Sequence, residues 1–198
     1  GDQYAKVSAN DDKIDPDTFE NLELGIRYDL PIGLSFSAAY FEIEANKPEY
    51  DAGTMTSSMV KSDISGFELQ LIGSVTDQWF LSAGYTNLDA KATNGAPLRE
   101  APENMFSIWN NYSVNDKLAL NLGIIHQDES VIKTGSSAVL PEYTRIDVGA
   151  TYLLSENTRF QVNVENLTDE LYFPHSHSTH QASVGAPIHA TFGITSSF

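Results

Sequence analysis

Apolar side chains recur at every second residue along almost the whole chain, and helical periodicity is nearly absent. Leu22, Leu24, Ile26 and Tyr28 alternate with Glu23, Gly25, Arg27 and Asp29. The same rhythm carries Leu34, Phe36, Ala38 and Tyr40, then Phe67, Leu69 and Leu71, then Trp79, Leu81, Ala83 and Tyr85. It returns in Phe106, Ile108 and Tyr112, in Leu118 to Ile124, in Ile146 to Tyr152, in Phe160 to Val164 and in Ile188 to Ile194. A period of two belongs to a strand with one apolar and one polar face. Nine such strands are predicted, in an all-β antiparallel sheet.

The connections fall into two classes that take turns. Short turns rich in Pro, Gly, Asn, Asp and Ser lie at Leu30–Gly33, Thr76–Gln78, Asn115–Lys117 and Ser155–Thr158. Long connections are predicted at Asn46–Lys61, Lys91–Glu103, Ser130–Glu142 and Thr168–Pro187. Loops of that length are uncommon in compact soluble domains. Short turns on one rim and long loops on the other are the pattern of an outer-membrane barrel.

Aromatic residues follow the same two levels. Tyr28, Trp79, Tyr112, Tyr152, Phe160 and the terminal Phe198 sit near the short turns, and Tyr40, Tyr85 and Tyr143 lie toward the long loops. Two belts of amphipathic rings suit the two interfaces of a bilayer. A β-sandwich would also turn its aromatics inward, but four long loops on one edge argue against it. The opposite face carries Glu23, Arg27, Glu68, Gln70, Asn121, Arg145, Asp147, Gln161, Asn163 and Glu165. A wide barrel with a wet or plugged lumen tolerates such an interior. Leu22, Leu24, Ile26, Leu69, Leu120, Leu122, Val162, Phe192 and Ile194 are therefore predicted to face lipid. Arg27, Glu68, Asn121, Arg145, Asp147 and Asn163 are predicted to face the lumen.

Composition narrows the function classes. Eleven Lys and Arg stand against 27 Asp and Glu, a formal net charge of −16, the wrong sign for a nucleic-acid surface. The absence of cysteine removes disulfides, thiolate metal sites and thiol nucleophiles. No Gly-x-Ser-x-Gly elbow and no Gly-rich phosphate loop is present, so no catalytic residue is expected and the chain reads as a non-enzyme. Nine antiparallel strands cannot close on themselves without a parallel seam, and an open sheet would leave bare edges in lipid. The expectation is a part of a larger barrel, with Phe198 ending its closing strand.

Six segments carry a resemblance. They are Asp15-Pro16-Asp17 followed by Leu22-Glu23-Leu24-Gly25-Ile26-Arg27-Tyr28; Ser65-Gly66-Phe67-Glu68-Leu69; Gly84-Tyr85-Thr86-Asn87-Leu88-Asp89-Ala90; Leu140-Pro141-Glu142-Tyr143-Thr144-Arg145-Ile146-Asp147; Asn163-Val164-Glu165-Asn166-Leu167-Thr168-Asp169 with Tyr172; and Gly185-Ala186-Pro187 before the last strand. In this order the chain, from about Asp15, resembles the C-terminal barrel region of TonB-dependent outer-membrane receptors of the ferric-siderophore group. One departure is Ile188, where the family often has Arg after Gly-Ala-Pro. The resemblance implies residues 1–198 as the last nine strands of a barrel of about 22, in a Gram-negative outer membrane, with the plug and TonB box outside this chain. It also implies uptake of a ferric siderophore driven by the TonB complex, no resident cofactor, and contact with outer-membrane lipid and lipopolysaccharide. A haem or zinc receptor of the same fold and a passive porin remain alternatives.

Candidate ligand contacts lie in the long loops. His175, His177 and His180 share one loop, and His189 opens the last strand. Imidazoles this dense can bind zinc, copper or haem iron. Their flexible spacing, with no carboxylate between them, reads first as a polar surface loop that hydrogen-bonds neighbouring loops or a siderophore, and no metal site is assigned. Lys133 and Arg99 in two other loops can meet an anionic chelate by charge attraction. Asp11, Asp12, Asp15, Asp17 and Glu20 form an acidic cluster that reads as solvated surface, with cation bridging to lipopolysaccharide phosphates as the alternative. A helical turn is expected within Leu167–Phe173, capped by Thr168-Asp169 and stopped by Pro174.

Overall fold

The structure, a computed structural model, describes residues 16–51, 56–177 and 181–197. Asp11, Asp12, Asp15, His180 and Phe198 lie outside the described residues.

The strands in chain order are β1 (Thr18–Asp29), β2 (Leu34–Asp51), β3 (Thr56–Ser74), β4 (Trp79–Ala92), β5 (Asn104–Asn115), β6 (Leu118–Gln127), β7 (Ser130–Val131), β8 (Val139–Leu140), β9 (Tyr143–Ser155), β10 (Thr158–Glu165), β11 (His175–Ser176), β12 (Ala182–Ser183) and β13 (His189–Ser196). The nine long ones form one antiparallel meander, β1-β2-β3-β4-β5-β6-β9-β10-β13. The pairs β7–β8 and β11–β12 are two-residue ladders inside the third and fourth long connections. Short turns are closed by side chains as well as backbone. Thr76 Oγ1 accepts from the Trp79 N–H at 3.1 Å, and Asn115 Oδ1 accepts from the N–H groups of Lys117 and Leu118 at 2.9 and 3.0 Å.

Directly opposite residues share a face of a sheet, so the register tests the predicted faces strand by strand. Ile26, Ala38, Leu69, Tyr85 and Phe106 form one cross-strand row. Trp79, Tyr112, Leu120, Ala150, Val162 and Phe192 form another. On the opposite face, Arg27, Ser37, Gln70, Gly84, Ser107, Ile125 and Arg145 line up in the same way. Trp109 also belongs to that inner face. Its ring lies across Gly123, which leaves no room for a side chain there.

Among the described residues the buried apolar side chains are only Leu34, Ala45, Ala90, Ala92, Leu140 and Tyr172, whereas Leu24, Ile26, Phe192 and Ile194 are each 66–77% exposed. Among the described residues no second sheet covers the apolar face, and the sandwich alternative falls. The Ile26 row passes beyond Phe106 into the polar pair His126 and Thr144, and a further polar group, Asn110 between Leu81 and Leu122, accepts the Trp79 indole N–H at 3.0 Å. Its amide oxygen is thereby satisfied where lipid offers no donor.

Three expectations are corrected. Within Asn46–Lys61, predicted as a long connection, residues 46–51 and 56–61 are strand, since β2 and β3 stay paired as far as Asp51 and Thr56. Their Asn, Pro and Ser residues read locally as loop, but ladder pairing with a long partner overrides local preference. Tyr143 lies on the inner face with Arg145 and Asp147, against Tyr172, and not in the outer aromatic belt. No helical turn forms in Leu167–Phe173. A tight turn closes instead from the Asp169 N–H to the Asn166 carbonyl at 2.9 Å, with both residues at φ near +50°.

The face assignment has a direct test. In the complete receptor in lipid vesicles, Leu122→Arg should lower unfolding stability by about 2–4 kcal/mol. The same change at Asn121, one residue away on the inner face, should cost clearly less. Equal costs in urea titrations would overturn the orientation of β6.

Candidate functional site

All the long connections leave one rim of the sheet, and two hydrogen-bonded nodes organise them. The first stands at the root of the last loop. Asp147 is 5% exposed and holds Arg145 Nη2 at 2.9 Å through one carboxylate oxygen. Its other oxygen accepts the Asn166 N–H at 2.8 Å. Arg145 Nη1 donates to the Tyr172 hydroxyl at 3.2 Å, and the Tyr143 and Tyr172 rings meet at 4.8 Å. Asn166 is 1% exposed. Its side-chain NH2 donates to the carbonyls of Glu170 (2.9 Å) and Ala186 (3.0 Å), and its oxygen accepts the Glu170 N–H (2.8 Å). Asp169 accepts the Ile188 N–H at 2.9 Å, and the ring of Tyr172 fills the space beside Gly185. A buried charge is tolerable only when paired and hydrogen-bonded, and here each partner supplies the other.

Asn166 tolerates its left-handed backbone, as Asn does better than most residues. Replacing it by Ala strands two carbonyls and one N–H. Asn166→Ala should cost roughly 2–4 kcal/mol and open the segment 167–188 to protease in intact cells while the barrel still assembles. An unchanged cleavage pattern would show that Asn166 does not fasten this loop.

The second node joins three loops. Glu100, at φ 51°, reaches across to Ser176 on the hairpin β11–β12. Glu100 Oε1 accepts the Ser176 N–H at 2.6 Å, the Ser176 hydroxyl at 2.8 Å and Arg99 Nη2 at 3.1 Å. Ser176 Oγ also approaches the Ile132 carbonyl at 3.2 Å, and Arg99 Nη2 donates to the Ser176 carbonyl. Backbone contacts finish the join: Arg99 N–H to Thr134 Oγ1 at 3.2 Å and Glu100 N–H to the Val131 carbonyl at 2.9 Å. Burial works against the charged carboxylate, but the Ser176 N–H, the Ser176 hydroxyl and Arg99 outweigh it and hold Glu100 below the usual carboxylate range.

This node brings together some of the predicted contact residues. Arg99 is part of it and keeps its guanidinium partly exposed. His175 and His177 flank the buried Ser176 and are both exposed, and the His177 N–H donates to the Gln181 carbonyl at 2.7 Å. Lys133 is exposed at the β7–β8 connection, beside Thr134. His189 instead lies on the inner face, where its Nε2 is 3.7 Å from Glu165 and its Nδ1 is 3.1 Å from the Pro187 carbonyl. Among the described residues no group of three or more His, Asp or Glu is arranged to hold a metal ion. Sequence reasoning missed Glu100 and Ser176, which are 76 residues apart with no motif to link them.

Comparison with known proteins gives this architecture its place. Residues 1–167 match the family model described as TonB dependent receptor-like, beta-barrel. The chain belongs to that family. Receptors of this family are outer-membrane transporters of Gram-negative bacteria rather than enzymes. The siderophore receptor PiuA from Acinetobacter baumannii is 30% identical over 92% of this chain and 27% of its own length. Its crystal structure superposes with a TM-score of 0.87 over 96% of this chain. The catecholate siderophore receptor Fiu of Escherichia coli K12 is 28% identical over 83% of the chain and 24% of its own. The Pseudomonas aeruginosa ferripyoverdine receptor, in its ferripyoverdine-bound crystal structure, is 25% identical with a TM-score of 0.84, over 96% of this chain and 28% of that one. The chain thus spans about a quarter of the length of the relatives it matches. Its nine-stranded sheet corresponds to a portion of the TonB-dependent receptor barrel.

Proposed function

We propose that the protein forms the C-terminal wall and part of the extracellular mouth of a receptor for energy-coupled uptake of a ferric siderophore. The observation that carries the reading is the match to PiuA, which runs over 96% of the chain and so takes in the loops as well as the strands. Among the described residues no strand pairs with the outer edges of β1 and β13, which supports a larger barrel, because unpaired backbone groups in lipid cost several kcal/mol each. The partners that go with this reading are the siderophore, the TonB complex acting through a plug, and outer-membrane lipid with lipopolysaccharide around the wall.

Within the mouth, His175, His177, His180, Lys133 and Arg99 are the proposed first contacts. Neutral imidazoles donate and accept hydrogen bonds, and the two cations offset the repulsion between an anionic chelate and a chain of net charge −16.

Radioiron uptake by cells expressing the complete receptor tests this. Uptake from a matching ferric siderophore should vanish when TonB is deleted or the proton gradient is collapsed. Energy-independent uptake would favour a passive pore. His175→Ala, His177→Ala and His180→Ala together should weaken siderophore binding equally in chelator-treated and zinc-supplemented buffer, with assembly intact. Loss of zinc binding with unchanged siderophore affinity would move the assignment to a metal receptor.

A further inference from the structure

The histidine hairpin β11–β12 has a ladder of only two residue pairs. A ladder this short is not stable by itself. Most of its ties to neighbouring loops run through Glu100 and Arg99: the carboxylate receives the backbone and the hydroxyl of Ser176, while Arg99 takes the Ser176 carbonyl, and the Ser176 hydroxyl also approaches the Ile132 carbonyl at 3.2 Å. Ser176 is 5% exposed although both neighbouring histidines are exposed. The same two residues, Arg99 and Glu100, are bonded through their backbones to Thr134 and Val131 in the loop that bears Lys133. Glu100 also holds a left-handed backbone, which a non-glycine residue adopts at a cost and keeps only where its surroundings impose it.

We infer that Glu100 is the positioning residue of this rim: its carboxylate hangs the His175–His177 hairpin on the two neighbouring loops, so that the three loops keep one mutual arrangement. Glu100 itself touches no ligand in this scheme. It sets where the two imidazoles stand relative to Lys133 and Arg99, and a surface that must present several groups at once gains from being assembled beforehand. The bearing on cargo capture rests on the proposed function, but the arrangement of the loops does not.

The test therefore uses no ligand. This chain contains no cysteine, so spin labels can be placed at His175→Cys and Lys133→Cys in the complete receptor, with any cysteines elsewhere replaced. Electron–electron resonance should give one narrow distance distribution. Glu100→Ala should abolish the narrow peak. Glu100→Gln, which keeps an acceptor oxygen at the same place, should retain part of it. Ser176→Ala, which keeps its N–H, should broaden the peak less than Glu100→Ala. The double variant should look like Glu100→Ala alone, because residues in one contact do not act additively. A control pair at Asp77 and Asp116, in the short turns of the opposite rim, should stay narrow throughout. If the control broadens in Glu100→Ala, Glu100→Gln and Ser176→Ala decide. A narrow peak surviving in Glu100→Ala, simple addition of the two effects, or an unaltered peak in both milder variants would overturn the inference. Failure of siderophore binding would be a separate result and would leave the loop arrangement standing.

Discussion

Between the two rims, a backbone N–H or C=O that meets lipid finds no water to bond, and the sheet ladder must supply its partner. Most of the structure follows from that requirement. The long strands are paired in sequence order, and the few connections that depart from regular pairing lie at the rims. Once the ladder is imposed, side chains have only two directions. The alternation of Leu, Ile, Phe and Tyr with Glu, Arg, Asn and Ser then decides which direction is lipid. Rows that run unbroken from Ile26 across to Phe106, or from Trp79 across to Phe192, are the product of nine strands keeping the same register convention.

The polarity of the two faces reverses toward the long-loop rim. On the outer face, the row Leu24, Tyr40, Phe67 gives way to Glu20, Glu44, Asp63 and Lys91. On the inner face at that level, Phe41, Ile43, Ile64 and Leu88 replace the Glu, Arg and Gln found deeper. Ion pairs such as Lys61–Glu44 and Lys91–Asp89, both at 2.8 Å and well exposed, belong in water. The Tyr40 hydroxyl, donating to Glu42 at 2.8 Å, marks the boundary, as an aromatic with one wet end does at a membrane interface. The strands therefore rise out of the bilayer before they turn. Above that inversion, residues 46–51 and 56–61 carry no period-two apolar pattern, which is why they look like loop in the sequence.

Much of the fold was legible because period-two alternation is a local signal repeated nine times. The facing of Leu22, Leu122 or Asn163 needs no knowledge of the partner strand. The candidate site was less legible because its joins are not local. Tyr143 shares the alternation of Arg145 and Asp147, yet its aromatic character drew it to the lipid belt. Its place is explained by Tyr172, far along the chain, against whose ring it packs at a tilt. The expected helical cap at Thr168-Asp169 lost to Asn166, whose side chain takes up both the N–H and the carbonyl of Glu170, which a helix would need.

The residues that carried the family resemblance explain its reach. Tyr143, Arg145 and Asp147 of one segment, Asn166, Asp169 and Tyr172 of another, and Gly185 of a third converge on the same node at the root of the last loop. Their chemistry is spent on one another: Asp147 on Arg145 and Asn166, and the Tyr172 ring on Tyr143 and Gly185. Residues so engaged hold a loop's base whatever its tip is asked to meet. The tips, by contrast, present His175, His177 and Lys133 outward. A likeness built on loop roots can therefore place a chain in a receptor family while leaving its cargo to other residues, and the contacts we propose for that cargo stand above the nodes, in the arrangement we assign to Glu100 rather than to any motif.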